Sequence, residues 1–246
     1  MIDPIIHRFR RINKNFLKSL VNSELYFSHP NQLNDPFDCR VDIFDSLNRA
    51  IHNANGAKRK QLKGIREFMN DSVNINKIKS FIENVGICSF SLELENTLMW
   101  SHYADNHRGV CLTYSFPKSF FDNTKDEVLG IVKVKYGVNP LSDWFLGEAL
   151  KQYVQSDDFL RYLIKEGFTA KSKLWQYEEE VRIVRKNAGV QAIDKQFLKM
   201  ICFGLATPDA DITLVKNIIG QRGYDIELRK MVRSTSSDLG LESIKL

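Results

Sequence analysis

Three consecutive glutamates stand directly before an apolar alternation that is typical of a strand. Glu178 to Glu180 occupy these positions, although Glu is a poor strand former. On a strand, Glu178 and Glu180 would share one side, about 6–7 Å apart, and Glu179 would face the other. Two such carboxylates can divide labour, one facing a developing cation and the other orienting a nucleophile. We therefore predict Glu178 and Glu180 as catalytic residues. The alternative is a surface salt bridge from Glu180 to Arg182 or Lys173.

A basic cluster lies at the end of the first predicted strand. Alternation places Arg8 and Arg10 on one side and His7 and Arg11 on the other. Paired guanidinium groups are suited to binding a diphosphate because each presents a fork of donors. Arg8 and Arg10 are therefore candidates for ligand binding, and a solvated basic edge strand is the alternative.

Hydroxyls and aromatic rings are concentrated in the middle of the chain. Ser89 and Ser91 share one side of a predicted strand and offer hydroxyls to a ligand. A short predicted helix then carries Trp100, His102 and Tyr103. Aromatic rings stack on flat heterocycles, and a histidine can act as a donor or as an acid or base. The alternative is that Trp100 and Tyr103 belong to the core and that the histidine is structural.

Asn34, Asp35 and Asp38 lie in an Asn-Asp-Pro-Phe-Asp turn. The amide and the carboxylates could bind a ribose or a metal ion, so Asn34 and Asp35 are candidate binding residues. Turn chemistry alone also explains these residue types, because Asn and Asp bond their own backbone and Pro fixes φ.

A metal-dependent nuclease is a second possible function. Its Mg²⁺ or Mn²⁺ ligands would be oxygen and nitrogen atoms from residues dispersed along the chain. The candidates are Asp35, Asp38, His102 or His107, and Glu178 or Glu180. The basic segment 57–63 would then contact phosphate. The sequence contains no compact metal-binding motif.

Composition limits the class of protein. The 246 residues are 43% hydrophobic and 26% charged, with a net charge of +5, which is ordinary for a globular chain. No run approaches the roughly 18 apolar residues that cross a bilayer, and the amino-terminal residues are unlike a signal sequence. The four cysteines are far apart in sequence, which argues against a zinc module and agrees with a reducing compartment. We expect a cytoplasmic protein with no membrane partner.

Periodicity predicts an α+β single domain over residues 1–246, with a central, mainly antiparallel sheet, flanking helices and a helical insertion at about residues 45–84. Predicted strands cover 5–10, 24–28, 86–92, 110–116, 128–136, 180–185, 200–204 and 224–229. Predicted helices cover 13–22, 96–105, 141–166 and 209–221.

Three motifs in this order resemble those of a large bacterial family of unknown function. They are NDPFD from Asn34, MWSHYA from Met99 and WQYEEEVR from Trp175. Such proteins resemble products of bacterial defence and mobile genes. The resemblance implies a toxin or antiphage role and a protein partner from a defence operon.

A more distant similarity concerns ADP-ribosyltransferases with an arginine, a Ser-x-Ser and a Glu-x-Glu motif in that order. It implies that Arg8 or Arg10 holds the phosphates or ribose of NAD and that Ser89 with Ser91 braces the nicotinamide pocket. It also implies that Glu180 stabilises an oxocarbenium-like transition state and that Glu178 positions the acceptor.

Three functions therefore remain open. The first is an NAD-consuming transferase, which uses NAD as substrate and needs no metal, and whose acceptor is an unknown protein, a nucleic acid or water. The second is the nuclease. The third is a non-catalytic module that binds a nucleotide or a partner. The transferase requires the amino-terminal arginines, the strand serines and the paired glutamates to line one cleft.

Overall fold

Residues 4–39, 42–124, 127–155 and 159–246 are described by the structure, which is a computed structural model. Alternating apolar residues produce the strands. They are β1 Ile5–Arg10, β2 Glu24–Phe27, β3 Gly86–Ser91, β4 Val110–Ser115, β5 Val128–Lys133, β6 Lys135–Gly137, β7 Ala170–Ser172, β8 Glu180–Arg185, β9 Gly189–Ala192, β10 Leu198–Phe203, β11 Glu227–Arg233 and β12 Leu241–Lys245.

Helices connect and flank these strands. They are α1 Lys14–Asn22, α2 Ile43–Asn53, α3 Gly56–Asn70, α4 Ser72–Asn84, α5 Thr97–Tyr103, α6 Lys118–Asn123, α7 Pro140–Leu146, α8 Glu148–Gln155, α9 Phe159–Gly167 and α10 Asp209–Arg222. Short 3₁₀ turns cover Pro30–Gln32, Lys173–Glu178 and Lys195–Phe197. Within the described residues, no helix is long and apolar enough to cross a membrane.

Eight strands form the central sheet in the order β12-β11-β10-β4-β1-β3-β8-β5. All neighbouring pairs are antiparallel except β10 and β11. The predicted α+β class with a mainly antiparallel sheet and flanking helices is therefore confirmed. β2 pairs with β9, and β6 with β7, in two smaller ladders.

Two apolar layers hold the helices in place. Phe16 and Leu20 of α1 pack with Val215 and Ile219 of α10 against one face of the sheet. The segment predicted as a helical insertion forms α2, α3 and α4. Its apolar residues share a second cluster with α7, α8 and α9, because they recur at helical spacing along each helix.

Some predicted elements have different bounds in the structure. The predicted helix 141–166 contains α7, α8 and α9. α7 ends at Leu146, after which the N–H of the capping residue Gly147 bonds Trp144 O. Residues 156–158 of the predicted helix lie outside the described residues. The predicted strand 128–136 is divided between β5 and β6, which lie in different ladders. β11 begins at Glu227, three residues later than predicted.

The central sheet splits between β1 and β3. These strands pair where His7 faces Ser91, and over the rest of their described lengths no further pairing joins them. At its other end, β3 pairs with Ser28 through Ile87. The chain after β2 therefore lies beside β3, and a gap opens between β1 and β3 inside an otherwise continuous sheet.

Gly109 fixes the approach of helix α5 to the end of β1. A Cβ atom at Gly109 would lie 2.2 Å from Arg10 O and 2.9 Å from Ala104 O. Both obstacles are backbone atoms, so the contact cannot be relieved by a side-chain rotation. The residue keeps α5 next to the gap in the sheet.

We predict that Gly109→Ala lowers the free energy of unfolding by about 2 kcal/mol, because the added methyl group forces the backbone apart. Gly64→Ala is the matched control, since a Cβ atom there meets nothing within 4 Å and alanine favours a helix. Urea unfolding measures both variants. Equal stability of the two variants would contradict the prediction.

Candidate functional site

A cavity of about 410 Å³ occupies the split in the sheet, a volume within the range of small-molecule sites. Its walls include residues from β1, β3, α5 and the segments around residues 34, 171 and 178. Among the predicted residues, it is lined by Arg8, Arg10, Asn34, Ser89, Ser91, His102, Tyr103, Glu178 and Glu180. The structure thus brings the three sequence patches into one cleft.

One row of side chains crosses the sheet at the cleft. Thr113, His7, Ser91 and Glu180 lie directly opposite one another on β4, β1, β3 and β8, and such residues share a face. His7 Nδ1 lies 3.0 Å from Thr113 Oγ1. Burial lowers the pKa of His7 to about 4, so its ring is neutral at pH 7.

Arg8 and Arg10 approach the cleft from the opposite face of the sheet. The Arg8 guanidinium lies 5.9 Å from the centre of the Phe90 ring and donates to Tyr26 O. Burial, together with the charge of Arg8, lowers the pKa of Arg10 to about 10, so Arg10 is cationic at neutral pH. Side chains from both faces of the sheet line one cavity because β1 and β3 separate.

The floor of the cleft is a buried cluster of five charged residues, which we call the charged floor: Asp38, Lys171, Glu178, Glu180 and Arg182. The Lys171 ammonium lies 2.5 Å from Glu178 Oε2, 2.8 Å from Glu180 Oε2 and 3.4 Å from Asp38 Oδ2. Each of these side chains is at most 4% exposed. Three carboxylates and two cations give the charged floor a net charge of −1 when all are ionised.

Arg182 connects Glu180 to Asp38. Its Nε donates to Glu180 Oε1 at 2.7 Å, and one terminal nitrogen donates to Asp38 Oδ2 at 2.6 Å and to Glu180 Oε2 at 2.9 Å. The salt bridge from Glu180 to Arg182, which the sequence offered as an alternative, is therefore present. It is buried, and the lysine partner of Glu180 is Lys171 instead of Lys173.

Glu178 and Glu180 face Lys171 for a reason that differs from strand alternation. Glu178 ends a 3₁₀ turn, which begins where the Ser172 hydroxyl accepts the Leu174 N–H. Glu179 follows with φ of 44°, a left-handed conformation that is unfavourable for a non-glycine residue. The turn directs Glu179 outward to Lys133 and leaves its two neighbours on the floor.

Burial and neighbouring charges shift the pKa values of Glu178 and Glu180 in opposite directions. Burial raises the pKa of Glu178, since it outweighs the ammonium of Lys171, and the Glu180 carboxylate adds to the increase. Burial also opposes ionisation of Glu180, but Arg182 and Lys171 outweigh it and lower its pKa to about 2. Divergent pKa values in a carboxylate pair are typical of acid–base sites.

Tyr103 binds the carboxylate oxygen of Glu178 that Lys171 leaves open, and Asn34 in turn binds Tyr103. The Tyr103 hydroxyl donates to Glu178 Oε1 at 2.5 Å and accepts from Asn34 Nδ2 at 3.1 Å. Burial raises the pKa of Tyr103, and Glu178 raises it further, so the phenol remains a donor at neutral pH. His102 is an exposed residue of the cleft wall, with its ring 6.0 Å from that of Tyr177.

Trp100 and Asp35 do not line the cleft, and the predicted binding set is corrected accordingly. Trp100 is fully buried, donates Nε1–H to Leu94 O and packs edge-on against Phe9. Asp35 is buried in its turn, where Oδ1 accepts the Phe37 N–H. The alternative interpretations therefore apply to these two residues: Trp100 belongs to the core, and Asp35 stabilises its own turn.

The proposed nuclease ligands are gathered only in part, because Asp38, Glu178 and Glu180 meet at the Lys171 ammonium and His102 lines the same cleft. Among the described residues, no group of three or more His, Cys, Asp or Glu side chains is arranged to hold a metal ion. Asp35 and His107 lie outside the cleft lining, and His107 Nε2 instead bonds Ser101 Oγ. The floor carboxylates already accept from Lys171 and Arg182.

The fold and the cleft define an α+β protein with a charged cavity in its central sheet. Residues 99–183 match the model of DUF2971, a family described as a protein of unknown function, which supports the predicted resemblance to an uncharacterised family. The matched segment contains Tyr103, Lys171, Glu178, Glu180 and Arg182. Comparison with curated proteins and with solved structures gave no match.

We predict that the wild-type free energy of unfolding falls by about 3 kcal/mol between pH 4.5 and pH 2 through Glu180 alone. The unfolded chain binds this proton near the ordinary pKa of 4.5, whereas the folded chain binds it only near 2. Protonation therefore favours the unfolded chain as the pH falls. Glu178, with its raised pKa, contributes in the opposite direction above pH 4.5.

Urea unfolding at a series of pH values measures this effect. Glu180→Gln should show a shallower acid dependence than the wild type, and Glu179→Gln should follow the wild type because that residue faces outward. A Glu180→Gln variant with the wild-type acid slope would refute the assignment of the lowered pKa.

Proposed function

We propose that the cleft binds NAD and breaks its nicotinamide–ribose bond, as an ADP-ribosyltransferase-like enzyme. The observation that carries the proposal is one cavity with Arg8 and Arg10 on one wall and the net-negative charged floor below. NAD has matching chemistry, with an anionic diphosphate and a cationic nicotinamide ring. Forked guanidinium donors suit the diphosphate, and the floor suits the cationic end.

The reaction places a positive charge on the ribose as its bond to nicotinamide breaks. The bonding electron pair leaves with the nicotinamide nitrogen, and C1′ becomes oxocarbenium-like. The charged floor, in which Glu180 is ionised at neutral pH, supplies net negative charge near that carbon. Electrostatic stabilisation of this kind is usually the largest catalytic contribution.

An acceptor forms a new bond to C1′ in the same step in which the bond to nicotinamide breaks. Its hydroxyl or amine attacks the carbon and releases a proton, which Glu178 takes up. A raised pKa suits Glu178 to this role because a general base works best near the operating pH. Tyr103 and Lys171 hold this carboxylate in place, and the products are nicotinamide and an ADP-ribosylated acceptor.

The remaining cleft residues follow the predicted assignment. Ser89 and Ser91 brace the nicotinamide end, and Tyr103 offers a ring that can stack on a flat heterocycle. His102 is the additional candidate for a catalytic donor or acid–base group. Asn34 acts by holding the Tyr103 hydroxyl.

A non-catalytic binding module is the second candidate, and one observation favours it. Both oxygens of Glu180 accept hydrogen bonds from Arg182, and one also accepts from Lys171. A carboxylate neutralised in this way can be purely structural. Binding without turnover would then be the function of the cleft.

We expect incubation with NAD and a cell extract to release free nicotinamide and to add the mass of ADP-ribose to a macromolecule. Glu178→Gln should lower the rate of nicotinamide release by about 10²–10³ with NAD affinity nearly unchanged, because it removes the general base. Glu179→Gln is the matched control and should retain the wild-type rate, since this neighbour faces Lys133 at the surface. Mass spectrometry and calorimetry provide the two readouts.

Each alternative outcome identifies a different error. NAD binding without turnover by folded wild-type protein would assign the cleft to the binding module. Absence of NAD binding would reject the proposal. Equal rate losses in Glu178→Gln and Glu179→Gln would show that the floor carboxylate has no specific catalytic role.

We also propose that this activity operates in the bacterial cytoplasm as a toxin or antiphage effector, alongside a protein partner from a defence operon. The support is the motif resemblance alone, because the family matched over residues 99–183 has no known function. Induced expression of the wild-type chain should arrest growth and lower cellular NAD, whereas Glu178→Gln should do neither at equal protein level. Growth arrest by both variants would separate toxicity from NAD consumption.

A further inference from the structure

Positive charge is concentrated in the helical segment formed by α2, α3 and α4. Residues 43–84 contain eight Lys or Arg and four Asp or Glu, so about a sixth of the chain carries +4 of its net +5. In the rest of the chain, positive and negative charges are therefore nearly equal in number. The cleft and its chemistry do not use this segment's cations.

Helix α3 presents these cations on one side. Leu62, Ile65 and Met69 of α3 are fully buried against the helical cluster. At 100° per residue, Lys60 and Lys63 lie on the face opposite these residues, with Glu67 between them. Arg59 and the half-buried Arg66 lie on the flank of the helix next to Lys63. The buried apolar side fixes this basic face outward.

The two lysines of this face are free to meet a ligand. Lys60 and Lys63 are exposed, and neither forms an ion pair within the part of the chain that the structure describes. Arg59 is held in place because its guanidinium donates to Ile51 O and His52 O. The surface therefore combines one anchored arginine with two exposed lysines.

A groove runs beside the basic face. It has a volume of about 280 Å³ and is lined by Lys60, Gln61 and Gly64 of α3 and by Leu150 and Tyr153 of α8. Gly64 leaves the groove open, since a Cβ atom there would meet nothing within 4 Å. An aromatic and aliphatic wall thus adjoins a row of cations.

We infer that α3 and this groove form a docking surface for single-stranded nucleic acid. Cations along a helix suit the phosphate backbone, and an aromatic wall suits an unpaired base. A lipid surface fits less well, because insertion needs a free apolar helix face and that of α3 is buried. The inference does not depend on the chemistry of the cleft, because binding is measured without turnover.

The test measures binding of fluorescently labelled 20-nucleotide single-stranded DNA and RNA of one sequence by anisotropy, across a KCl series. The full chain should bind at least one of them, with a log–log salt slope of about −3 if four cations contribute. Lys60→Glu with Lys63→Glu should weaken binding at low salt by about tenfold or more and reduce the slope by about 1.4. Either strand chemistry satisfies the inference, and the two arms show which is preferred.

A second variant probes the groove separately from the charge. Gly64→Leu fills the groove and favours the helix, so it should fold normally. It should weaken binding about fivefold or more through lost base contact while leaving the salt slope unchanged. An unchanged affinity in this variant would remove the groove from the docking surface and overturn the inference as stated.

Lys199→Glu with Lys216→Glu is the matched charge control, since both lysines are exposed and lie on β10 and α10. This control should bind nearly as well as the wild type. Equal weakening in the two double variants would attribute binding to net charge and overturn the inference. Equal binding of a polyglutamate peptide or of duplex DNA would also overturn it, because the surface would then lack selectivity for single strands.

Discussion

The burial of the Lys171 ammonium among three carboxylates constrains the whole site. A buried charge without partners costs several kcal/mol. Lys171 avoids this cost because its ammonium pairs with Asp38, Glu178 and Glu180. Burial alone would lower the pKa of Lys171, but the three carboxylates outweigh it and raise the pKa. These partners come from the segment after β2 and from the start of β8. The ion cluster therefore joins distant parts of the chain at the point where the sheet splits.

The split in the sheet explains how residues on opposite faces can serve one cavity. In an unbroken sheet, Arg8 and Glu180 would be separated by the backbone, because Arg8 neighbours Phe90 on one face and Glu180 shares the other face with Ser91. The separation of β1 from β3 removes that barrier. The resulting cavity has cations on one wall and a net-negative floor, an arrangement suited to a ligand that carries both charges.

The sequence predicted the parts of the site that depend on local periodicity. β1, β3 and β8 have the predicted alternation, so the sides of Arg8, Ser89 and Glu180 could be assigned. In contrast, the 141–166 segment has a continuous apolar stripe, and the break between α7 and α8 depends on the backbone conformation at Gly147.

Other parts of the site depend on contacts that local patterns do not contain. Lys171 lies in a three-residue strand and resembles a surface lysine in sequence, although its partners bury it. Trp100 illustrates the reverse error, because its motif suggests a ligand contact while tertiary packing places it in the core. Asp38 could be recognised as part of a turn, but its pairing with Arg182 spans 144 positions.

The two floor glutamates differ in how much freedom their partners leave them. Arg182 binds both oxygens of Glu180, and Lys171 adds a third donor, so this carboxylate has a fixed charge and little capacity to accept a proton. Glu178 has a phenol on one oxygen and an ammonium on the other, and its pKa is raised. In the proposed reaction, proton transfer is therefore assigned to Glu178. The negative field belongs to the charged floor as a unit, because Glu180 alone is largely neutralised by its own partners.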